Sequence, residues 1–330
     1  MNVRRLIPTA AVASATVLGL TALSACSSSS AADNDGKLNV AASFYPMQYL
    51  AKEIGGDHVS VDTLTKPGVE PHDLELSPRQ TASLGESDFI LYLKGIQPAV
   101  DDAIGQSGVK NTVDAAELTK LEKHGTEVGH DHGHEGEEHS DEHSDEEEHG
   151  HEGEGEAGTD PHIWLDPVKY AEVAKGVGKA MEKADPDHAA AYKKNTEALV
   201  KKLDSLNTKF EDGLKNTRTK TFITTHSAFG YLAERYGLEQ EGIAGVDPES
   251  DPSPARIKEL QDIAEKDDVS TVFFETLASD KTAKTLANDA SLKTDVLDPL
   301  EGITDKSKGD DYVEVMESNL AALQKALGAK

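Results

Sequence analysis

The sequence predicts an α/β fold of two similar lobes with mostly parallel sheets, bridged by one long helix. Short apolar runs of strand length alternate with helical stretches in both halves of the chain, which is typical of parallel sheets. One stripe of apolar residues at helical spacing runs from about 187 to 216. The length of 330 residues suits roughly two domains. No internal sequence repeat relates the lobes, so they are similar in pattern only.

The N-terminal lobe is predicted over residues 37–165 and the C-terminal lobe over 218–330, with helices over 166–217 between them. Gly55-Gly56 ends the first helix and Asp185-Pro186-Asp187 ends the helix before the long one. In chain order, the predicted strands are 37–42, 59–64, 89–93, 221–225, 269–274 and 295–297. The predicted helices are 45–54, 77–84, 97–104, 168–183, 187–216, 227–236, 254–265, 281–289 and 312–327.

Residues 1–25 have the pattern of a secretory signal. Arg4-Arg5 precede an apolar run of small residues that ends in Leu23-Ser24-Ala25-Cys26. A transmembrane anchor is the alternative, but this run is shorter than the roughly 20 residues that a span needs. The last four residues resemble a bacterial lipobox, which implies cleavage before Cys26 and lipid on its thiol, outside the cytoplasmic membrane. The other interpretation is a free thiol after ordinary cleavage; residues 26–36 are predicted to form a flexible tether.

Residues 124–158 are predicted to form a disordered insert. They contain fourteen acidic residues and no Lys or Arg, and so carry half of the net charge of -28. This charge argues against a nucleic-acid partner and favours cationic ones. Eight of the 13 histidines lie here: His124, His130, His132, His134, His139, His143, His149 and His151. Their imidazoles are predicted to be secondary, weak Zn(II) ligands; the alternative is a solvated charge run with incidental histidines.

Three other histidines precede predicted helices, at the ends of strands or loops. These are His72, His162 and His226. Ligands bind open α/β sheets beyond the carboxyl ends of the strands, so the three imidazoles can converge on one crevice. Three imidazoles suit Zn(II), with a carboxylate or water completing a tetrahedron. A hydrogen-bonded structural role for each histidine is the alternative from spacing alone.

Four segments carry a family resemblance. They are Pro71-His72-Asp73 with Ser77-Pro78, Asp160-Pro161-His162-Ile163-Trp164-Leu165-Asp166-Pro167, Thr225-His226-Ser227-Ala228-Phe229-Gly230-Tyr231-Leu232, and Leu297-Asp298-Pro299-Leu300-Glu301. In this order they resemble the metal-binding solute-binding proteins of ABC importers, in the zinc-uptake (ZnuA-like) branch. The resemblance implies a metal site between the lobes, with His72, His162 and His226 as ligands. It implies Asp298 as the fourth ligand, with Glu301 as its substitute; a helix-capping Asp298 and a solvated Glu301 are the alternatives.

The resemblance implies a lipid-anchored monomer that captures Zn(II) and delivers it to an ABC permease and its ATPase. Members of the manganese branch have a carboxylate at the position of His226, and an imidazole there moves the site toward Zn(II). Import of manganese or iron is the first alternative. A zinc-dependent hydrolase is the second, but the sequence has no His-Glu-x-x-His motif. We therefore expect a binding protein, not an enzyme.

Overall fold

A computed structural model describes residues 36–124 and 159–330 of the chain. The part before the gap contains four strands and three helices. In chain order these are β1 (Leu38–Ala42), α1 (Tyr45–Gly55), β2 (Val59–Thr63), α2 (Pro78–Leu84), β3 (Phe89–Tyr92), α3 (Pro98–Ser107) and β4 (Thr112–Asp114). The predicted signal, tether, lipidation site Cys26 and all insert histidines except His124 lie outside the described residues.

The part after the gap contains two connecting helices and the second lobe. In chain order its elements are α4 (Pro167–Ala184), α5 (Ala189–Leu214), β5 (Thr221–Thr224), α6 (Gly230–Tyr236), β6 (Glu239–Gly242), α7 (Pro254–Lys266), β7 (Thr271–Phe274), α8 (Lys281–Asp289), β8 (Lys293–Val296) and α9 (Tyr312–Leu327). None of these helices, nor any other described one, has the length and apolar content that a membrane span requires.

Two four-stranded sheets with parallel strand pairs form the two lobes. The strand order is β2-β1-β3-β4 in the first sheet and β6-β5-β7-β8 in the second. In each, the first strand of the lobe lies in the middle, with Val40 opposite both Val61 and Phe89 in the first sheet. Ile223 lies opposite Val272 in the second. The predicted fold class is confirmed.

Helix α5 connects the lobes through its apolar stripe. Leu199, Leu203, Leu206 and Phe210 recur at intervals of three or four residues and are almost fully buried. The helix packs along α4, α1 and α9, so both lobes contact it. One continuous core extends from β1 through α5 to α9. Each lobe also has a smaller separate core of its own.

The structure corrects three element predictions. The helix predicted over 227–236 begins at Gly230, because Ser227 donates its backbone N–H to Gly245 and its hydroxyl to Ala244. Strand β4 is only three residues long, and β6 is largely polar, so neither shows the apolar run by which strands are predicted. Both missed strands pair at one edge of their sheet.

Candidate metal centre

The three predicted histidines come from three loops that meet between the lobes. His72 lies between β2 and α2, and the Glu70 carboxylate accepts its backbone N–H at 3.1 Å. His162 precedes a short 3-10 helix over Ile163–Leu165. His226 follows β5, and its carbonyl accepts hydrogen bonds from Thr224 Oγ1 at 2.7 Å and Gln240 Nε2 at 3.0 Å. Each histidine therefore stands on a loop that neighbouring residues hold in place.

Their imidazoles converge on the carboxylate of Glu301. Glu301 Oε1 lies 3.4 Å from His72 Nε2, 3.4 Å from His162 Nε2 and 3.2 Å from His226 Nε2. The Nε2 atoms of His162 and His226 are 3.4 Å apart. One ligand atom from each of the four residues lies within 4.8 Å of the other three. The four side chains form one compact group of three nitrogens and one oxygen.

These separations match the edges of a zinc tetrahedron. With Zn–N and Zn–O bonds of about 2.0–2.1 Å, the edges of a tetrahedron are about 3.3–3.4 Å long. The four separations measured between candidate ligand atoms are 3.2–3.4 Å. Four of the six edges thus have the length of a zinc tetrahedron, and all four ligand atoms lie within 4.8 Å of one another.

The structure places Glu301, and not Asp298, in this group. From the sequence, Asp298 was the expected fourth ligand and Glu301 its substitute. Asp298 Oδ1 accepts the backbone N–H of Leu300 at 2.9 Å, while Oδ2 accepts the hydroxyls of Ser307 at 2.9 Å and Thr276 at 3.2 Å. Both oxygens of Asp298 thus have partners outside the group of imidazoles. Neither alternative from the sequence describes this, since Glu301 is buried and Asp298 caps no helix.

Two further carboxylates lie behind the imidazoles. Asp160 Oδ1 is 2.7 Å from His162 Nδ1, and Glu275 Oε1 is 2.6 Å from His226 Nδ1. A carboxylate accepts only, so each Nδ1 carries the proton, and the lone pair of neutral imidazole is on Nε2, toward the group. Asp160 belongs to one of the four family motifs but was not predicted to support a ligand, and Glu275 was not predicted at all.

The electrostatics of the group raise the pKa of two imidazoles, those of His162 and His226, and keep the central carboxylate ionised. Burial lowers the pKa of His162 and His226, but Asp160 raises that of His162, and Glu275 with Glu301 raises that of His226 well above its usual value. Burial favours a raised pKa at Glu301, but His226, His162 and His72 outweigh it and hold that pKa well below the ordinary range. A cation that binds here displaces protons from the imidazoles.

His124, the first histidine of the predicted insert, is anchored. Its Nδ1 lies 3.2 Å from Asp160 Oδ2 and its Nε2 lies 3.0 Å from Glu234 Oε2. Its ring packs edge-on against Tyr231, whose hydroxyl accepts the N–H of Glu122 at 2.7 Å and donates to the carbonyl of Asp160 at 2.8 Å. The two ends of the insert are thereby joined at its base, close behind His162.

The protein has two α/β lobes with parallel sheets, and both lobes pack on one long helix. A largely buried group of three histidines and one carboxylate lies between the lobes. These features define a two-lobed metal-binding solute-binding protein. Residues 40–326 match the family described as "ZnuA: Zinc-uptake complex component A periplasmic". The chain therefore belongs to the ZnuA family, and the predicted resemblance is confirmed.

Individual relatives agree with the family assignment. The chain is 37% identical over 318 residues to the "High-affinity zinc uptake system protein ZnuA" of Bacillus subtilis, covering 93% of this chain and 94% of that one. It is 36% identical over 309 residues to the "Zinc-binding lipoprotein AdcA" of Streptococcus pneumoniae, covering 92% of this chain and 58% of that protein's length.

A solved structure has the same fold. The Zn(II)-bound ZnuA-like domain of Streptococcus pneumoniae AdcA superposes with a TM-score of 0.69 at 31% identity, covering 88% of this chain and 99% of that domain. The similarity of this chain to AdcA thus extends over the whole of that domain.

Proposed function

We propose that this protein captures Zn(II) outside the cytoplasmic membrane and delivers it to an ABC permease with its ATPase. The observation that carries the proposal is that Glu301 Oε1 lies 3.2–3.4 Å from the Nε2 atoms of His72, His162 and His226. In this proposal these four side chains are the metal ligands. Three imidazoles and one carboxylate favour Zn(II) over harder cations, which prefer oxygen ligands.

The names of the relatives support zinc as the cargo. The Bacillus subtilis relative is named for high-affinity zinc uptake, and the pneumococcal one for zinc binding. The pneumococcal relative is also called a lipoprotein, which supports lipid attachment at Cys26 and location on the outer face of the membrane. Two acyl chains on this cysteine would make the anchor stable, whereas one chain binds a membrane only marginally.

The geometry supports transport of the metal more than catalysis with it. A hydrolytic zinc site keeps one coordination position open for water. Here Glu301 faces all three imidazoles and fills the fourth position. His162, His226 and Glu301 are buried and only His72 is partly exposed, so a substrate has little exposed surface of the group to contact. We therefore propose a binding protein that carries out no reaction.

The insert is proposed to hold additional zinc weakly. Seven of its histidines, from His130 to His151, follow the anchored His124 in an acidic stretch. We propose that metal binds there more weakly than at the interlobe group, because the sequence predicts a disordered segment that each bound metal has to order. His124 itself already has a carboxylate at each ring nitrogen.

The test counts the metals that two forms of the protein retain. One is the chain from Ser27, and the other lacks 125–158, a deletion that joins the adjacent ends of the insert. Both are offered Zn(II), Mn(II) and Fe(II) together, dialysed against a weak chelator and analysed by elemental mass spectrometry. We expect about one Zn(II) per chain in the deleted form.

Other outcomes would overturn parts of the proposal. Retained Mn(II) or Fe(II) in the deleted form would indicate import of those metals. Loss of all metal on deletion would locate binding in the insert alone. Hydrolysis of ester, phosphate or peptide substrates by the zinc-loaded form would favour the enzyme alternative.

A further inference from the structure

The turn that leads from β8 to Glu301 is held by contacts from several elements. It consists of Asp298, Pro299 and Leu300, all buried. We propose that Asp298 is a positioning residue that holds Glu301 among the three imidazoles and does not itself bind the metal. This inference rests on the proposed function, because it assigns the source of the fourth ligand's geometry.

Every polar atom of Asp298 takes part in a hydrogen bond. Its Oδ1 accepts the N–H of Leu300 and its Oδ2 accepts the hydroxyls of Ser307 and Thr276, at 2.9, 2.9 and 3.2 Å. Its backbone N–H donates to Asn319 Oδ1 at 2.9 Å, and its carbonyl accepts from Asn319 Nδ2 at 2.7 Å. Turning this carboxylate toward the imidazoles would break three hydrogen bonds inside the protein.

The backbone conformation of Leu300 is the reason that the turn needs these hydrogen bonds. Its φ is +58°, in the left-handed region that residues with a side chain rarely adopt. It has no exposed surface, and its N–H is the group that Asp298 Oδ1 accepts. The hydrogen bond to Asp298 therefore stabilises the backbone conformation immediately before Glu301.

The opposite lobe fixes the same turn. The indole N–H of Trp164 donates to the carbonyl of Pro299 at 2.7 Å, and Trp164 is two residues beyond His162. Asp298 and Trp164 thus fix consecutive residues of the turn from the two lobes. Glu301 Oε1 is directed to the imidazoles, while its Oε2 is buried with no hydrogen-bond partner among the described residues.

The experiment compares Asp298→Asn with Asp298→Ala in the full chain from Ser27. The asparagine can accept the N–H of Leu300 through its oxygen and donate to the hydroxyls of Ser307 and Thr276 through its amide. We expect Asp298→Asn to keep Zn(II) affinity within about threefold and Asp298→Ala to lose about 10–100-fold, the usual cost of removing a partner of a metal ligand. Asp305→Asn, at an exposed carboxylate nearby, is the matched control.

Co(II) substituted for Zn(II) gives a second readout, because its visible absorption reports the ligand set. We expect the Asp298→Asn spectrum to match that of the unmodified protein, whereas Glu301→Gln changes it. Asp298→Asn keeps the turn, so it is informative even if Asp298→Ala fails to fold.

Two results would overturn the inference. An Asp298→Asn variant that loses affinity as Asp298→Ala does, with an altered Co(II) spectrum, would make Asp298 a ligand. Unchanged affinity in both Asp298 variants would remove its positioning role. Failure of the unmodified protein to retain Zn(II) would instead contradict the proposed function, so the two failures are distinguishable.

Discussion

The two lobes share one sheet order but support their halves of the site differently. In the N-terminal lobe, Asp160 accepts the backbone and ring N–H groups of His162 with one oxygen and contacts His124 with the other. In the C-terminal lobe, Glu275 uses one oxygen for both Thr225 and His226, and its Oε2 has no hydrogen-bond partner among the described residues. A buried carboxylate oxygen without a partner is costly. The supporting carboxylate of the first lobe thus has protein partners on both oxygens, whereas that of the second lobe has partners on one oxygen only.

The largest effect is expected from variants that remove one candidate zinc ligand from either lobe, and their comparison shows how much each lobe contributes to binding. If about 10–16 kcal/mol of zinc-binding free energy is shared by four ligands, each contributes about 2.5–4 kcal/mol, so we expect His72→Ala and His226→Ala each to weaken binding at least about 60-fold. His226→Ala should cost more, because it also leaves the buried Glu275 without its imidazole partner. Competition with a chelating dye measures both affinities.

The control for this comparison is His58→Ala. His58 stacks on His188, with 4.1 Å between ring centroids, and belongs to no part of the metal group. It should retain the affinity of the unmodified protein. Equal losses in His72→Ala and His226→Ala would show that the lobes contribute alike, and the asymmetry proposed here would then be wrong.

Acidification should weaken zinc binding through one imidazole from each lobe. The pKa of His162 is raised and that of His226 is raised well above the ordinary value of 6.5, because Asp160 and Glu275 outweigh the effect of burial. A protonated imidazole cannot bind metal, so affinity falls as the pH drops through these raised values, by up to about 100-fold per pH unit when both hold a proton. The loss should begin above pH 6.5.

Calorimetry in buffers of different ionisation enthalpy counts the protons that zinc displaces. We expect proton release at neutral pH, with more released from the unmodified protein than from Glu275→Gln, whose His226 has lost its carboxylate. Zinc binding without proton release between pH 6.5 and 7.5 would contradict the raised pKa values.

The sequence predicted the fold well because the fold follows local patterns. The apolar stripe of α5 and the alternation of strands and helices are visible in single segments. Strands β4 and β6 were missed because pairing at a sheet edge, and not hydrophobicity, makes them strands. The start of α6 was misplaced because a contact between Ser227 and Gly245 decides it, and no local signal reports that contact.

The site was less predictable because its details depend on contacts between distant segments. Asp298 and Glu301 are three residues apart, and which one faces the imidazoles depends on the left-handed backbone of Leu300 and on the hydrogen bonds that hold this turn. Glu275 lies 49 residues from His226 and has no motif of its own. A signal for it was nonetheless present, since an acidic residue directly follows the apolar strand β7 at its carboxyl end, where ligands of α/β folds bind.

The smallest effect is expected when each of the two supporting carboxylates, Asp160 and Glu275, is replaced by the corresponding amide. Glu275→Gln keeps an oxygen for His226 and removes only the charge, so we expect about 10–100-fold weaker zinc binding. Asp160→Asn should weaken binding similarly, but its amide also replaces the oxygen that faces His124. Losing that contact at the base of the insert should lower the melting temperature of the metal-free protein by roughly 1–2 °C beyond the effect of the lost charge, as expected for about 1 kcal/mol in a chain of this length. Glu275→Gln also removes the charge that faces a buried imidazole, but the oxygen Oε2 has no hydrogen-bond partner among the described residues, so no further contact is lost and we expect a smaller decrease than for Asp160→Asn. Scanning calorimetry of both metal-free variants measures these melting temperatures. Equal decreases in the two variants would mean that the two lobes support their histidines in the same way.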